Sequence, residues 1–427
     1  MKNRAYLLIG AAGALLATAG VALALPPVPV QLIVKAGDSY DGSTVSTLNA
    51  PFTDGNGKVG FVGALADSRR FIWYDTGPIF YSPPGVTGGE STMGVSNTGQ
   101  FIYSPSNGGN DSVYTNGGVL LQGTDPVSFG GGWSTFNSRP TMLASGTAYW
   151  VGGTATTQGG ATSQRHLLRA TDPTNPATIT AVLSGNMVID GKTITAQGLN
   201  FDYWVSDNDN HYIQLVSVVG PTTSDAHVLV SGTFVAQESM PTGSGDNWQN
   251  FSGVSINNLG HYIFGGDTDG PVATDAFIAY NGVISIREGD TLDGITLASG
   301  AATRALSISN GGKAAFIWGW GSGATLQEHL FLGEAAFMAG SSRLLSLGDE
   351  LDVDGDGIPD YVLTDFNASG VIGPGLDLAD DGRVFVDVDL MPVTGGSSIQ
   401  AIIAVPEPAT FVLLGLGALA LHRRRSA

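Results

Sequence analysis

The sequence predicts an all-β protein whose body is β-propeller-like, with about seven four-stranded repeats. A polar turn of Asn, Asp and Gly, followed by an alternating apolar strand, occurs seven times at intervals of about 40 to 70 residues. Strand–turn–strand segments follow most copies, and helical periodicity is absent between the two termini. Glycine supplies 62 of the 427 residues, which suits many tight turns.

The repeating turns begin near positions 54, 95, 143, 206, 256, 309 and 379. Two Asn-Gly pairs, Asn116-Gly117 and Asn281-Gly282, predict β-hairpins within the repeats. Because a blade buries its faces only against its neighbours, repeats of this size predict blades around a channel. The strand VQLIVKAG (30–37) is expected to pair with SIQAIIAV (398–405), which would close the ring. The alternatives are two β-sandwich domains or an irregular solenoid.

Residues 1–24 have the pattern of a secretory signal peptide. Lys2 and Arg4 give the positive start, and an apolar run follows at 6–21. Ala22-Leu23-Ala24 provides a small-x-small cleavage site. The alternative is an uncleaved anchor helix. The predicted organisation is therefore a signal peptide at 1–24, a repeat domain at 25–404 and a tail at 405–427.

The C-terminus has three elements in a fixed order: a Pro-Glu-Pro triplet, a 13-residue run without charge at 409–421, and an arginine cluster. At about 1.5 Å per residue, the run gives a helix of roughly 20 Å, shorter than a ~30 Å hydrocarbon core. Arginines after the run favour a cytoplasmic end, with the body outside. The residues of the two polar elements are Pro406, Glu407 and Pro408, then Arg423, Arg424 and Arg425.

This tail resembles the PEP-CTERM sorting-signal family, and the body resembles bacterial exported β-propeller-like repeat proteins. The first resemblance implies an exosortase-type membrane enzyme as a processing partner and transient contact with the inner membrane. It also implies association with bacteria that make exopolysaccharide. The alternative for the tail is a plain membrane anchor. The expected location is membrane-anchored before processing, then the cell surface or the extracellular space.

One loop, DVDGDGIPD, predicts a structural calcium site. Four aspartates stand at positions 1, 3, 5 and 9 of the loop, with Gly357 at the sharp turn. The stretch resembles the acidic loops of EF-hand, dockerin and thrombospondin-type calcium sites. It departs from the EF-hand pattern at position 12, where Leu363 replaces a bidentate Glu, and it lacks flanking helices. The four candidate ligands are Asp352, Asp354, Asp356 and Asp360. The alternative is an acidic loop without metal.

Charge and composition exclude several functions. The segment between the two terminal signals has 13 basic and 36 acidic residues, which argues against nucleic-acid binding. The absence of cysteine excludes disulfides, thiolate metal sites and cysteine nucleophiles. We find no nucleophile elbow, no P-loop and no H-E-x-x-H motif. His211 and His261 occupy matching repeat positions, which indicates a repeat feature rather than a metal pair.

The seven tryptophans are expected to pack between blades, with Trp133 and Trp248 the best candidates for exposed, sugar-stacking positions. No catalytic residues and no cofactor besides calcium are predicted. The sequence therefore favours a non-enzymatic protein of the cell surface or matrix that binds exopolysaccharide or surface partners. The alternatives are a secreted propeller lyase or hydrolase acting on polysaccharide, and a purely structural surface-layer component.

Overall fold

The computed structural model describes residues 26–53, 57–82, 93–104, 106–107, 110–123, 125–136, 140–156, 161–367 and 375–407. Strands account for most of these residues, and the all-β class is confirmed. The helical segments among them are three short 3₁₀ turns, at Pro176–Thr178, Gly323–Thr325 and Ala335–Gly340. The predicted signal peptide, 1–24, and residues 408–427 of the tail lie outside the described residues.

The strands are numbered in chain order and grouped into sheets 1 to 7. Two N-terminal strands, β1 (Val28–Pro29) and β2 (Gln31–Lys35), belong to sheet 7. Sheet 1 has β3 (Ser39–Tyr40), β4 (Ser43–Leu48), β5 (Phe52–Thr53), β6 (Val59–Leu65), β7 (Arg70–Tyr74) and β8 (Gly77–Tyr81). Sheet 2 has β9 (Met93–Val95), β10 (Phe101–Tyr103), β11 (Ser106–Asn107), β12 (Asn110–Thr115) and β13 (Gly118–Gln122). Sheet 3 has β14 (Pro126–Val127), β15 (Gly130–Phe136), β16 (Thr141–Met142), β17 (Ala148–Ala155), β18 (Gln164–Ala170) and β19 (Ile179–Ser184).

Sheet 4 has β20 (Val188–Ile189), β21 (Lys192–Val205), β22 (Tyr212–Val218), β23 (Ala226–Val230) and β24 (Thr233–Gln237). Sheet 5 has β25 (Trp248–Ile256), β26 (Tyr262–Thr268), β27 (Ala276–Tyr280) and β28 (Val283–Arg287), and a small hairpin follows, β29 (Thr291–Leu292) and β30 (Ile295–Thr296). Sheet 6 has β31 (Ala302–Ile308), β32 (Lys313–Trp320), β33 (Gln327–Glu334) and β34 (Ser342–Ser346). Sheet 7 adds β35 (Glu350–Asp352), β36 (Tyr361–Phe366), β37 (Leu376–Leu378), β38 (Val384–Pro392) and β39 (Ile399–Val405).

The sheets form a β-propeller-like arrangement in which each sheet packs against the next. Seven hydrophobic clusters of described residues fill the spaces between consecutive sheets, and one of them joins sheet 7 to sheet 1. Two of the sheets have four strands, as the sequence predicts for a repeat, and the other five have five to seven. Some of the extra short strands arise because one strand is interrupted and pairs in two pieces, as β4 and β5 do on β6, β15 and β16 on β17, and β36 and β37 on β38. Others, such as β3, β14 and β20, are short strands that pair with the next strand of the chain.

Sheet 7 contains both ends of the body. Strand β2 runs antiparallel to β39, with Gln31 opposite Ala404 and Lys35 opposite Ala401. This pairing confirms the closure predicted from VQLIVKAG and SIQAIIAV. The side chains of Ile403 and Val405 on β39 are fully buried, in the cluster between sheets 6 and 7. The closing strand is therefore part of the core as well as of the hydrogen-bonded ladder.

The recurring polar turns join the first and second strands of the repeats. Among the described residues they are the turns at 96–100, 143–147, 206–211, 257–261, 309–312 and 379–383. Contacts between neighbouring turns place them at one end of the ring, which we call the turn face. The predicted hairpins are also present. Asn281 and Gly282 have φ of 49° and 81°, the left-handed values that a two-residue turn of this kind requires.

Close approach of sheets 2 and 3 depends on a glycine. A Cβ on Gly94 would lie 2.4 Å from the backbone nitrogen of Met142 in the neighbouring sheet. We expect Gly94→Ala to lower the free energy of unfolding by about 1–3 kcal/mol, because the added methyl forces backbone apart in a packed junction. Urea denaturation of the purified body measures the change. Gly77→Ala is the control, since a Cβ there meets no atom within 4 Å, and its effect should stay within about 0.5 kcal/mol. Equal effects of the two variants would contradict the packing argument.

Candidate functional site

The predicted calcium loop lies between β35 and β36 and is held by its own backbone. Both carboxylate oxygens of Asp352 accept backbone N–H groups, from Gly355 at 2.7 Å and Gly357 at 2.9 Å. The two glycines have φ of +79° and +84°, which other residues rarely adopt. Asp356 accepts the N–H of Ile358 at 2.7 Å. The alternation of Asp and Gly thus folds the loop back on itself.

Three of the four predicted ligands come together. Asp352, Asp354 and Asp356 each offer a carboxylate oxygen, and these oxygens lie within 4.8 Å of one another. No other group of three or more His, Asp or Glu side chains with this spacing occurs in the part of the chain that the structure describes. Like charges at this separation repel one another, and a divalent cation would offset the repulsion. The arrangement has the oxygen donors that calcium prefers.

The fourth predicted ligand has a different contact. One carboxylate oxygen of Asp360 accepts the backbone N–H of Val353 at 2.9 Å, so this side chain closes the base of the loop. Leu363, at the position where an EF-hand has its bidentate Glu, is fully buried in the cluster between sheets 6 and 7. The loop is flanked by strands, as the sequence indicated. The buried Leu363 and the flanking strands are the two ways in which this loop differs from an EF-hand.

Asn and Asp side chains link the turns of sheets 4 to 7. The backbone N–H of Asn208 donates to Asn258 Oδ1 at 2.9 Å, and that of Asn258 donates to Asn310 Oδ1 at 2.8 Å. The backbone N–H of Asn310 donates to Asp380 Oδ1 at 2.7 Å. Asn310 Nδ2 also donates to Asp207 Oδ2 at 2.7 Å. The repeated Asn and Asp residues therefore connect sheets as well as forming turns.

A small central cavity opens beside these turns. It is lined by residues of sheets 1, 3, 4, 5, 6 and 7, and about 30 Å³ is available to the centres of water molecules. That volume can hold water or an ion but not a sugar ring. The ring of Trp204 stacks on Phe52 with 5.6 Å between centroids at the cavity wall.

Asp377 joins three sheets at the cavity wall, and the sequence analysis did not identify it. Its side chain is 2% exposed. One oxygen accepts the backbone N–H of Thr53 at 2.9 Å, and the other accepts the Ser307 hydroxyl at 2.8 Å. The sequence does contain a signal for it, since an aspartate between Leu376 and Leu378 in an apolar strand indicates a buried carboxylate with hydrogen-bond partners. The function of this carboxylate is to tie sheets 6 and 1 to sheet 7.

Two further acids are buried at the junctions of sheet 7. Burial raises the pKa of Glu328 to about 7, and Asp365 nearby adds to the rise. Arg304 Nε lies 3.7 Å from Glu328 Oε1. Burial also raises the pKa of Asp387 to about 7, although Gln400 Nε2 donates to its two oxygens at 3.0 and 2.9 Å. Glu328 is only 4% exposed, so its carboxylate has no open surface for a substrate.

The tryptophans fill the junctions between sheets, as the sequence analysis expected for most of them. The two expected exceptions are wrong: Trp133 is fully buried and Trp248 is 4% exposed. Trp133 lies over Gly152, where a Cβ would stand 2.2 Å from the indole. Trp248 packs on three phenylalanines of sheet 5. The space for the Trp133 indole comes from Gly152 on the adjacent strand, so the glycine-rich sequence before the tryptophan did not indicate exposure.

The Pro-Glu-Pro triplet starts directly after the last strand. Val405 ends β39, and Pro406 and Glu407 follow on the turn face. Glu407 forms an ion pair with Lys313, the first residue of β32. Pro408 and the arginines at 423–425 lie outside the described residues. No helix long and apolar enough to cross a membrane is found in the portion of the chain that the structure describes.

Comparison with known proteins identifies the tail. The family profile described as the PEP-CTERM protein-sorting motif matches residues 404–426. The chain ends in a PEP-CTERM sorting motif. This motif indicates an exported, surface-sorted protein and is consistent with an exosortase partner. No curated protein matches the chain.

Solved structures similar to the chain share little sequence with it. BBS1N, solved in complex with ARL6DN, is 16% identical, with 90% of this chain and 99% of that chain covered and a TM-score of 0.38. The WD40 β-propeller domain of Doa1 is 9% identical, with 89% and 98% covered and a TM-score of 0.38. A protein of unknown function from Dyadobacter fermentans is 14% identical, with 89% and 99% covered and a TM-score of 0.37.

The buried acids predict a loss of stability with rising pH. Glu328 and Asp387 keep their protons in the folded state up to about pH 7, whereas in the unfolded chain they ionise near pH 4. A folded pKa above the unfolded one gives stability that is complete below pH 4 and is lost as the pH rises through 7. The two acids should therefore contribute a fall in the free energy of unfolding between about pH 4 and pH 7, whereas His166 and His329, whose pKa values burial lowers to about 4, contribute an opposing rise up to about pH 6.5.

The variant Asp387→Asn should reduce this fall, because its neutral side chain has no proton to lose. The exposed Glu350→Gln serves as the control and should leave the slope unchanged. Urea denaturation at several pH values provides the measurement. A slope that Asp387→Asn does not alter would show that this carboxylate is not a source of the pH dependence.

Proposed function

We propose that this exported protein is a non-enzymatic component of the cell surface or extracellular matrix, whose propeller body binds exopolysaccharide or a surface protein. The PEP-CTERM motif at 404–426 carries the proposal, because it directs the body to the place where such partners occur. We take each of the seven sheets as one blade of the propeller. In this proposal an exosortase-type enzyme processes the tail, and contact with the inner membrane is transient.

The charge and burial of the body support a binding function over catalysis. Acidic residues greatly outnumber basic ones, so the surface attracts cations and repels nucleic acid. The two acids whose pKa values are raised to about 7, Glu328 and Asp387, are buried at sheet junctions rather than in an open cleft. The central cavity is too small for a sugar ring. In this proposal a polymer contacts exposed surface of the body and does not enter this cavity.

The direct test is co-sedimentation of the purified body with exopolysaccharide from the producing organism, with and without calcium. We expect saturable binding, because repeated blades present similar surfaces to a repeating polymer. Release of reducing ends or unsaturated sugars from the polymer would instead indicate a lyase or hydrolase. Ordered self-assembly without binding would indicate a structural surface layer.

Processing of the tail is tested by the intact mass of the protein released from the cell surface. We expect the mature chain to begin after residue 24 and to lack the segment that follows the Pro-Glu-Pro triplet. A released protein that starts at Met1 would contradict cleavage of the signal peptide. A chain that is intact to Ala427 would contradict processing of the tail.

We also propose that the loop at 352–360 binds calcium as a structural ion. Asp352, Asp354 and Asp356 would supply carboxylate oxygens, with backbone carbonyls and water completing the shell. Because the loop joins β35 to β36, an ion there would fix the connection into sheet 7. Asp360, whose oxygen accepts the N–H of Val353, would support the loop from behind.

Calcium at ten times its dissociation constant should raise the free energy of unfolding by about 1.4 kcal/mol through mass action. In Asp354→Asn and Asp356→Asn the rise should be lost or strongly reduced, since each removes one ligand charge. Asp381→Asn, in the turn at 379–383, is the matched control and should respond as the wild type does. Thermal melts with EGTA and with calcium measure the response. No shift in the wild type would contradict the site.

A further inference from the structure

The sorting motif is joined to the ring without a linker. Val405, the last residue of β39, is fully buried and pairs with Val384, which follows the turn at 379–383. Pro406 and Glu407 come next and lie on the turn face. The motif therefore begins directly after a buried strand. The pairing of that strand restricts where Pro406 and Glu407 can lie.

Glu407 sits between the turns of two sheets. One oxygen accepts a hydrogen bond from Lys313 Nζ, on sheet 6. The other lies 2.7 Å from the position that a Cβ of Gly382, on sheet 7, would occupy. The side chains of Lys313 and Glu407 are 26% and 30% exposed. Because Gly382 has no side chain, the Glu407 carboxylate has room beside it, and Lys313 pairs with that carboxylate.

Lys313 and Lys58, the lysine at the equivalent position of sheet 1, form ion pairs with different kinds of partner. Lys58, which also directly follows a Gly at the end of its turn, pairs with Asp75 of its own sheet at 3.0 Å. Arg383 of sheet 7 likewise pairs with Asp381 of its own turn. Lys313 instead pairs with a residue 94 positions later, inside the sorting motif.

We propose that the turn between β31 and β32 docks the sorting motif through Lys313 and Glu407, so that the folded ring restrains the motif. An enzyme that recognises the Glu407 carboxylate meets it only after the carboxylate leaves Lys313. This inference rests on the processing proposed above.

The test compares Lys313→Gln with the matched control Lys58→Gln in the producing cells. Pulse-chase labelling, with intact mass as the identity check, follows the conversion of precursor to processed protein. An exposed ion pair of this kind changes the population of the docked state by about two- to fivefold, so Lys313→Gln should speed conversion by about that factor. The reversal Lys313→Glu should speed it at least as much, and Lys58→Gln should match the wild type. Conversion of Lys313→Gln at or below the wild-type rate would overturn the docking proposal.

A second measurement separates failure of docking from failure of processing. Carbodiimide cross-linking of purified full-length protein in detergent reports the ion pair directly, because it joins a lysine amine to a carboxylate in contact with it. Peptide mass spectrometry should find Lys313 joined to Glu407 in the wild type and in Lys58→Gln, whereas Glu407→Gln, which lacks the carboxylate, should lose this product. If the wild type is never processed in cells, the proposed function fails, and this cross-linking result alone decides docking. Absence of the Lys313–Glu407 product from the wild type would overturn docking even where processing is observed.

Discussion

The structure depends on the pairing of the two ends of the body within one sheet. Each sheet has two apolar faces, and seven hydrophobic clusters cover those faces by placing consecutive sheets together. The last of these junctions lies between sheet 7 and sheet 1, where β2 pairs with β39 and adds Val34 to the cluster. Without that pairing, one face of sheet 1 and one of sheet 7 would meet water. A chain without disulfides thus obtains its long-range order from closure.

Polar groups support the same closure from inside the ring. Asp377 accepts hydrogen bonds from sheets 6 and 1, and Asp387 is held by Gln400 in the junction that β39 forms. Asp377 links three sheets, whereas the partners of Asp387 lie within sheet 7. Burial raises the pKa of Asp387, so its surroundings are most stable while the acid is neutral. The Asn and Asp side chains of the turns continue the linkage across the turn face. The sorting motif leaves the ring on this face, beside Lys313.

Much of the architecture could be predicted from local patterns. The polar turn followed by an apolar strand marked the repeats, Asn281-Gly282 marked a hairpin, and the two terminal strands marked the closure. Each of these features is encoded within a short segment or by one pair of strands, so the sequence alone indicates it. The loop around Asp352, Asp354 and Asp356 was found for the same reason, since its geometry arises within nine residues.

Other features depend on contacts between distant residues, which sequence patterns do not specify. Asp360 fits the spacing of a calcium ligand, but its oxygen accepts a backbone N–H of the loop. Trp133 has the glycine neighbours of an exposed position, yet Gly152 on the adjacent strand makes space for its indole. Glu328 gains its raised pKa from burial at a junction between sheets. Each outcome is set by packing across strands or sheets.

Because the chain has no cysteine, an engineered pair tests ring closure most directly. Gln31 and Ala404 are directly opposite on β2 and β39, at a separation that suits a disulfide. The double variant Gln31→Cys with Ala404→Cys should form an intramolecular disulfide during oxidative purification and melt at a higher temperature than its reduced form. The control pair, Gln31→Cys with Ala401→Cys, lies three residues out of register and should stay reduced. Equal oxidation of the two pairs, or no oxidation of the first, would contradict the closed ring.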